Sequence, residues 1–267
     1  MHSTKRVAHN QDKTTYDILV FSPHLDDAVL SMGNHIAKLV ATGKTICVVT
    51  MFTDGSDALT TNDIQLFLQR SGASSSTSLF ETRRTEDGFA LQALGVQKIA
   101  HEHLVDGLFR SYNHRLIGTT QAVYPSFQRL FSGRVSPHDN KLTERIRQIL
   151  LHHIKVFAKP TTIIYGPLGI GGHVDHILVH QALMSVAGHT RIFWEDIPYR
   201  ANPTALLARL AATRACHSLS STPNRNVEKY AKLKSKSLHY YSSQIAGLED
   251  GGLGTFDLYH EAFYTTT

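Results

Sequence analysis

The stretch YDILVFSPHLDDAVLSMGNHIAKLVATGKTICVVTM, residues 16–51, decides the fold. Its two ends, residues 16–21 and 45–51, are apolar runs of strand length, rich in β-branched side chains. Between them Val29, Met32, Ile36, Leu39 and Val40 recur at helical spacing, and Gly43 is a natural stop. Strand, helix and strand in so short a segment predict a βαβ unit, hence two parallel strands joined by a right-handed crossover.

The joint between the first strand and the helix carries polar groups. SPHLDD (22–27) places His24, Asp26 and Asp27 just past a strand end, the edge at which open parallel sheets bind ligands. One aspartate can cap the helix, which leaves His24 and the other aspartate without a purpose.

Outward from this unit the alternation continues. Residues 54–79 read as a loop with at most one helical turn, ending in a serine-rich run, and 80–94 as a helix closed by Gly95. A strand is expected within VQKIAHEHL (96–104), whereas 106–138 show no clear period and predict an excursion over the sheet. KLTERIRQILLHHIKVF (141–157) is an amphipathic helix, and TTIIYGP (161–167) a buried strand followed by breakers. Helices over 174–186, 204–212 and 227–241 and strands over 191–194 and 262–265 complete the pattern. With neither repeat nor linker, the expectation is one doubly wound α/β domain over 16–267. Its sheet would be mostly parallel and Rossmann-like, with helices on both faces, after a disordered polar leader at 1–15.

Composition narrows the classes. A chain of 267 residues with 42% hydrophobic and 18% charged residues is ordinary for a globular protein, and no apolar run reaches the roughly 18 residues of a membrane span. Cys47 and Cys216 are far apart and form no metal-type pair, which with the polar N-terminus suggests a cytoplasmic protein. The net charge of +5 comes from scattered basic residues, so nucleic acid is not an expected partner. The densest basic stretch, KYAKLKSKSLHYY (229–241), reads as the solvated face of one helix. A basic balance suits an anionic substrate; the oligomeric state is not legible.

A second polar cluster follows the 161–167 strand. LGIGGHVDHILVH (168–180) holds His173, Asp175, His176 and His180, preceded by glycines that let a bound group approach the backbone. If the two strands are neighbours, both clusters face each other at one sheet edge. His24, Asp27 and His176 then supply two imidazoles and a carboxylate to one divalent metal, with Asp26 and His173 beside it for proton transfer. Zinc is the expected ion, and the same donors suit Fe(II). His180, one turn past His176, reads as a packing histidine, and His101, His103, His152 and His153 as surface or core residues without a carboxylate at useful spacing. A dinucleotide-binding reading fails, because SPHLDD stands where GxGxxG would have to be.

SPHLDD paired with GGHVDH resembles the PIG-L/LmbE family of metal-dependent N-deacetylases, which carry a (P/A)HPDD motif and a later HPDH motif. Arg83-Arg84-Thr85-Glu86 with Ala90 and Leu94-Gly95 resembles that family's RxxExxxAxxxLG helix. Leu104-Val105-Asp106-Gly107 resembles its LxDG turn, and Lys234, Tyr241 and Ser243-Gln244 its KxxxxxxYxSQ helix. Leu25 and Val174 replace the usual prolines, Ala28 a common glutamate, and Gly171 a tyrosine that in some members polarises the substrate carbonyl.

The resemblance implies hydrolysis of the N-acetyl group of an amino sugar or glycoconjugate. Asp26 would be general base, His173 general acid, and Asp175 the residue that orients a histidine. It also implies that Arg83 and Asp106 contact sugar hydroxyls, with Arg84 the competing arginine; the plain alternatives are a pairing within the helix and a turn before Gly107. WEDIPYR (194–200) follows a strand, so Glu195, Asp196 and Tyr199 can reach the same rim, and Tyr199 is the candidate to replace the missing tyrosine. A silent sugar-binding protein on the same scaffold is the alternative, against which intact Asp26 and His173 count.

Overall fold

Strand β1 (Tyr16–Ser22) is buried along almost its whole length, as befits a strand with neighbours on both sides and helices on both faces. In chain order come β2 (Ile46–Asp54), β3 (Lys98–Val105), β4 (Ser111–His114), β5 (Thr119–Ala122), β6 (Ala158–Pro167), β7 (Thr190–Trp194), β8 (Ala215–Leu219) and β9 (Phe263–Thr266). The helices are α1 (Asp27–Ala41), α2 (Asn62–Arg70), α3 (Ser76–Ala93), α4 (Phe127–Leu130), α5 (Asn140–Phe157), α6 (Val174–Met184), α7 (Pro203–Thr213) and α8 (Val227–Leu238). This computed structural model describes residues 14–197, 199, 202–219, 227–244 and 261–266, so the expected leader lies almost wholly outside the described residues.

The seven-stranded sheet has the order β3-β2-β1-β6-β7-β9-β8. Its first five strands are parallel; β9 runs antiparallel to both β7 and β8. Alternation along β1 divides the core. Ile18 and Val20 pack toward residues of α1, α3 and α8, while Leu19 and Phe21 pack toward α5 and α6. The mostly parallel sheet with helices on both faces is thus present. β1 pairs directly with β6, Leu19 opposite Ile164 and Val20 opposite Tyr165, so the chain turns to opposite sides of the sheet from adjacent strands. That is the topological switch point, where open α/β sheets form ligand crevices.

Three expectations need correction. Residues 54–79 hold more than a turn: α2 is nine residues long, started by the Thr61 side chain accepting from the Ile64 N–H. The serine-rich run is not loop to its end, because Ser75 caps α3, which begins at Ser76 rather than residue 80. Polar capping residues resemble loop residues until the helix behind them is known. In the basic stretch, Lys234 is not solvated but buried, its Nζ 2.9 Å from Glu261 Oε1.

The 106–139 segment is an excursion, as expected. It contains a 3-10 turn at Gly107–Phe109, the β4–β5 hairpin, α4 and a second 3-10 turn at Pro137–Asp139. Its side chains pack with Leu25, Ile64 and Phe80 in a separate apolar cluster over the sheet edge. No helix among the described residues is long and apolar enough to cross a membrane.

Candidate active site

The loop between β1 and α1 is pinned at several points. The Phe52 N–H donates to Pro23 O (2.9 Å), the Ser22 hydroxyl to His24 O (2.9 Å), and Gln244 Nε2 to Leu25 O (2.8 Å). Asp27 Oδ2 accepts from the His24 N–H at 2.9 Å, which fixes this carboxylate against its own loop. Asp26 stands at the N-cap position of α1, yet its side chain makes no capping hydrogen bond. Capping therefore does not account for it.

Across the switch point, α6 begins at the end of β6 after Gly169, Gly171 and Gly172, all at positive φ. Its first turn turns His176 toward His24. His24 Nδ1 lies 3.1 Å from Asp27 Oδ2 and 3.2 Å from His176 Nε2, and His176 Nε2 lies 3.2 Å from Asp27 Oδ2. Metal–ligand bonds of about 2.1 Å place neighbouring donors about 3.0–3.4 Å apart, so this triangle has the dimensions of one face of a coordination shell. Both rings are braced from behind: His24 Nε2 is 3.2 Å from Asp175 Oδ2, and His176 Nδ1 is 2.7 Å from Asp196 Oδ1. Carboxylates behind metal-ligating histidines select the tautomer that offers the other nitrogen. The donor set fits a divalent ion.

Two other groupings use the same residues. His24, His173 and His176 bring ring nitrogens close, and His24 Nε2 faces both Asp175 and Asp106. The second is the less suitable cradle, because the Gly107 N–H (2.8 Å) and Arg110 Nη2 (2.6 Å) already occupy the Asp175 oxygens. In the first, His173 Nδ1 accepts from the Asp175 N–H (3.2 Å), so only its Nε2, carrying the hydrogen in the neutral ring, is available to the centre.

Charges follow from these contacts. Burial opposes ionisation of Asp27, but His176 and His24 outweigh it and hold the carboxyl well below the usual range. Burial likewise disfavours a charged His176, and Asp27 and Asp196 reverse this, raising it to about 9. Asp26 goes the other way: burial and the adjacent Asp27 carboxylate push it up to about 7. Burial, with His24 alongside, keeps His173 well below the ordinary histidine value.

A cavity of about 320 Å³ opens over these groups, and His24, Asp26, Asp27, Arg83, Asp106, His173 and Tyr199 all line it. Asp175 and His176 are not on its wall: Asp175 lies against His24 Nε2, and His176 against both His24 and Asp27. Arg83, not Arg84, reaches the cavity, with its guanidinium 4.9 Å from the Phe67 ring. Arg84 is taken up by Thr53 O and Asp54. Glu86, an acid one turn along the same helix, accepts from Ser242 and Ser243. Asp106 makes the expected turn, accepting from the Leu108 N–H (2.8 Å), and its other oxygen lies 3.5 Å from His24 Nε2. Much of the remaining wall is apolar, with Phe67, Phe80, Phe127 and Phe131 on it, and Arg70, Ser71 and Gln244 add polar groups.

Tyr199 fills the place that Gly171 leaves open. A Cβ on Gly171 would lie 2.5 Å from both Cβ and Cγ of Tyr199, and the Tyr199 ring packs against His176 and Phe131. Side chains at 171 and 199 exclude one another.

Sequence reading underused Asp196 and missed Arg110. Asp196 is no rim residue; fully buried, it also accepts from the Gly169 and Ile170 N–H groups at 2.7 and 2.8 Å. Its signal was its place directly past a strand end. Arg110 lay in the aperiodic excursion, where no pattern marked it. His180 is a packing residue, its Nδ1 3.0 Å from Pro167 O. His101, His103 and His153 do meet carboxylates, namely Asp87, Asp54 and Glu102, but all through tertiary contacts away from the cavity.

Comparison with known proteins follows the same line. A family model described as "PIG-L: GlcNAc-PI de-N-acetylase" matches residues 19–187. The 2'-N-acetylparomamine deacetylase of Streptomyces fradiae is 26% identical over 229 residues, spanning 85% of this chain and 72% of that protein. The zinc-inhibited form of teicoplanin deacetylase Orf2 superposes with a TM-score of 0.69 at 21% identity, covering 94% of this chain and 97% of that one. For the A40926 pseudoaglycone deacetylase Dbv21 the TM-score is 0.65 at 21% identity, with 96% and 97% covered. These two structures share the fold.

Proposed function

The chain belongs to the PIG-L family, and from that premise we propose that it hydrolyses the N-acetyl group of an amino sugar carried on a larger glycoconjugate. The observation that carries the proposal is the triangle of His24 Nδ1, Asp27 Oδ2 and His176 Nε2 at the edge of one cavity, whose wall includes His24, Asp27 and the non-capping Asp26. These three residues would hold one divalent ion, zinc by its donor preference and Fe(II) by the same set. When bound, the ion supplies Lewis acidity, lowering the pKa of a coordinated water to about 7 and sharing the charge that develops on the acyl oxygen.

The protein's own groups divide the remaining work. Asp26 takes the proton of the attacking water; a carboxylate near the working pH balances availability against basicity. As the C–N bond breaks, the amine nitrogen needs a proton; Asp26 can hand on the one it took from the water, and His173, which burial keeps neutral, gives one only after its ring has first been protonated. Asp175, holding His24 and meeting the His173 turn, orients both rings. The Tyr199 hydroxyl stays protonated, since burial and then Asp27 raise it well above the ordinary phenol value, so it can donate to the acyl oxygen. Arg83 and Asp106 are the polar contacts for sugar hydroxyls.

The substrate reading leans on the wall. A free sugar makes little use of the apolar surface that Phe67, Phe80, Phe127 and Phe131 offer. An amino sugar attached to an apolar or aromatic body uses those rings and keeps its hydroxyls for Arg83 and Asp106. The relative is named for 2'-N-acetylparomamine, and the neighbours for teicoplanin and A40926 pseudoaglycone, each as a deacetylase.

The test is acetate release from N-acetylglucosamine and from aryl N-acetylglucosaminides by zinc-loaded and chelator-treated protein. One acetate per free amine, abolished by chelation and faster with the aryl glycosides, is the expected result. No acetate from any N-acetyl sugar by the loaded protein would refute the proposal and favour the silent binder.

A further inference from the structure

Arg110 is a cation with no access to the cavity and little to solvent, being 8% exposed. Its guanidinium sits between the rings of Phe52 and Tyr124, 5.2 and 5.3 Å from their centroids. Nη1 donates to Val105 O at 3.0 Å. Nη2 lies 2.6 Å from Asp175 Oδ1 and 3.1 Å from Asp139 Oδ2, close charge contacts rather than aligned hydrogen bonds. Asp139 in turn accepts from the Tyr124 hydroxyl (2.9 Å), which itself takes the Ser136 N–H (2.9 Å).

One cation thus links two carboxylates, one in the excursion and one on α6. Folding of the excursion alone does not call for this. A buried charge cluster costs desolvation, and well-packed apolar residues of similar volume hold such a joint as firmly or more so. What an apolar joint could not do is fix an anion beneath His24. Asp175 Oδ2 faces His24 Nε2 at 3.2 Å, with Asp106 Oδ2 a looser competitor at 3.5 Å. A hydrogen held on Nε2 by this acceptor leaves the Nδ1 lone pair directed at the Asp27–His176 edge.

We infer that Arg110 is a positioning residue of the metal centre: it holds Asp175 in place, Asp175 orients His24, and seating of the 106–139 excursion is thereby coupled to metal affinity. The excursion also supplies Phe127 and Phe131 to the cavity wall, so one segment shapes substrate space and braces a ligand. The inference rests on the proposed ligand set of His24, Asp27 and His176.

The experiment titrates metal-free protein with Zn²⁺ against a competing chelator dye, with thermal melts of the metal-free proteins alongside. Arg110→Gln is expected to weaken Kd about 10- to 100-fold, the usual effect of removing a group that supports a metal ligand. Arg110→Lys keeps the charge but not the fork and should weaken Kd by less, about 3- to 10-fold. Because Arg110→Gln is the variant more exposed to misfolding, the lysine variant decides alone if the other does not fold. A wild-type Kd in a folded Arg110 variant, even with a lowered Tm, overturns the inference and leaves a structural ion pair. His176→Ala separates the two levels: if its Kd matches wild type, the ligand set itself is wrong, and the Arg110 inference falls with it.

Discussion

Asp26 and Asp27 are neighbours in sequence and opposites in environment. Asp27 is fixed by its own loop N–H and by two histidines, whereas Asp26 occupies a capping position without capping and faces the cavity. Asp26→Asn should therefore leave zinc affinity nearly unchanged while kcat falls about 10²- to 10⁴-fold, the ordinary weight of a general base. Calorimetric zinc titration beside single-turnover kinetics measures both; retained turnover would remove Asp26 from that role. Tyr199→Phe should lower kcat about 10²- to 10³-fold with KM little changed, as for loss of one donor to a developing oxyanion. Equal kcat would reduce Tyr199 to packing against His176 and Phe131. At this scale much of the site was legible, because HxDD and HxDH each stand past a strand end. Asp196 and Arg110 were not, since a supporting side chain is recognised by what it touches.

The helices show why some motif residues matter away from the chemistry. α1 is interrupted at Met32 (φ −145°), and Glu261 receives the N–H groups of Asn34 (2.8 Å) and His35 (2.9 Å) beyond the break. Lys234 supplies the countercharge from α8, crossing where Gly33 has no side chain: a Cβ there would meet Lys234 Cγ at 2.9 Å. Tyr241 donates to Asp87 (2.8 Å), and Gln244 holds Leu25 O. The KxxxxxxYxSQ pattern thus fastens α8 to α1, to α3 and to the loop bearing His24. Lys234→Met should cost about 3–5 kcal/mol by leaving Glu261 buried without its partner, read from urea unfolding. A loss below about 1 kcal/mol would mean that the two N–H groups alone satisfy Glu261. Long periodic elements such as α1, α5 and β6 were readable in advance. α2 and the pieces of the 106–139 excursion were not, because they are short and take their order from contacts with Leu25, Ile64 and Phe80 rather than from local periodicity.

The whole molecule explains why two motifs far apart in sequence act together. β1 and β6 are adjacent and parallel, and the chain leaves them to opposite faces of the sheet, so one crevice receives both loop ends. Into it the 106–139 excursion and α2 lower apolar walls, and Arg110 ties the excursion to Asp175 beside His24. On the proposed function, the convergence of His24, Asp27 and His176 is a metal centre rather than a cluster of ionised side chains. Anomalous diffraction at the zinc edge from crystals of zinc-loaded protein tests it most directly. One strong peak is expected, bonded to His24 Nδ1, Asp27 Oδ2 and His176 Nε2, with Asp175 and Asp196 behind the rings. A peak on the other side of His24, between Asp106 and Asp175, or none in the cavity at all, would contradict it.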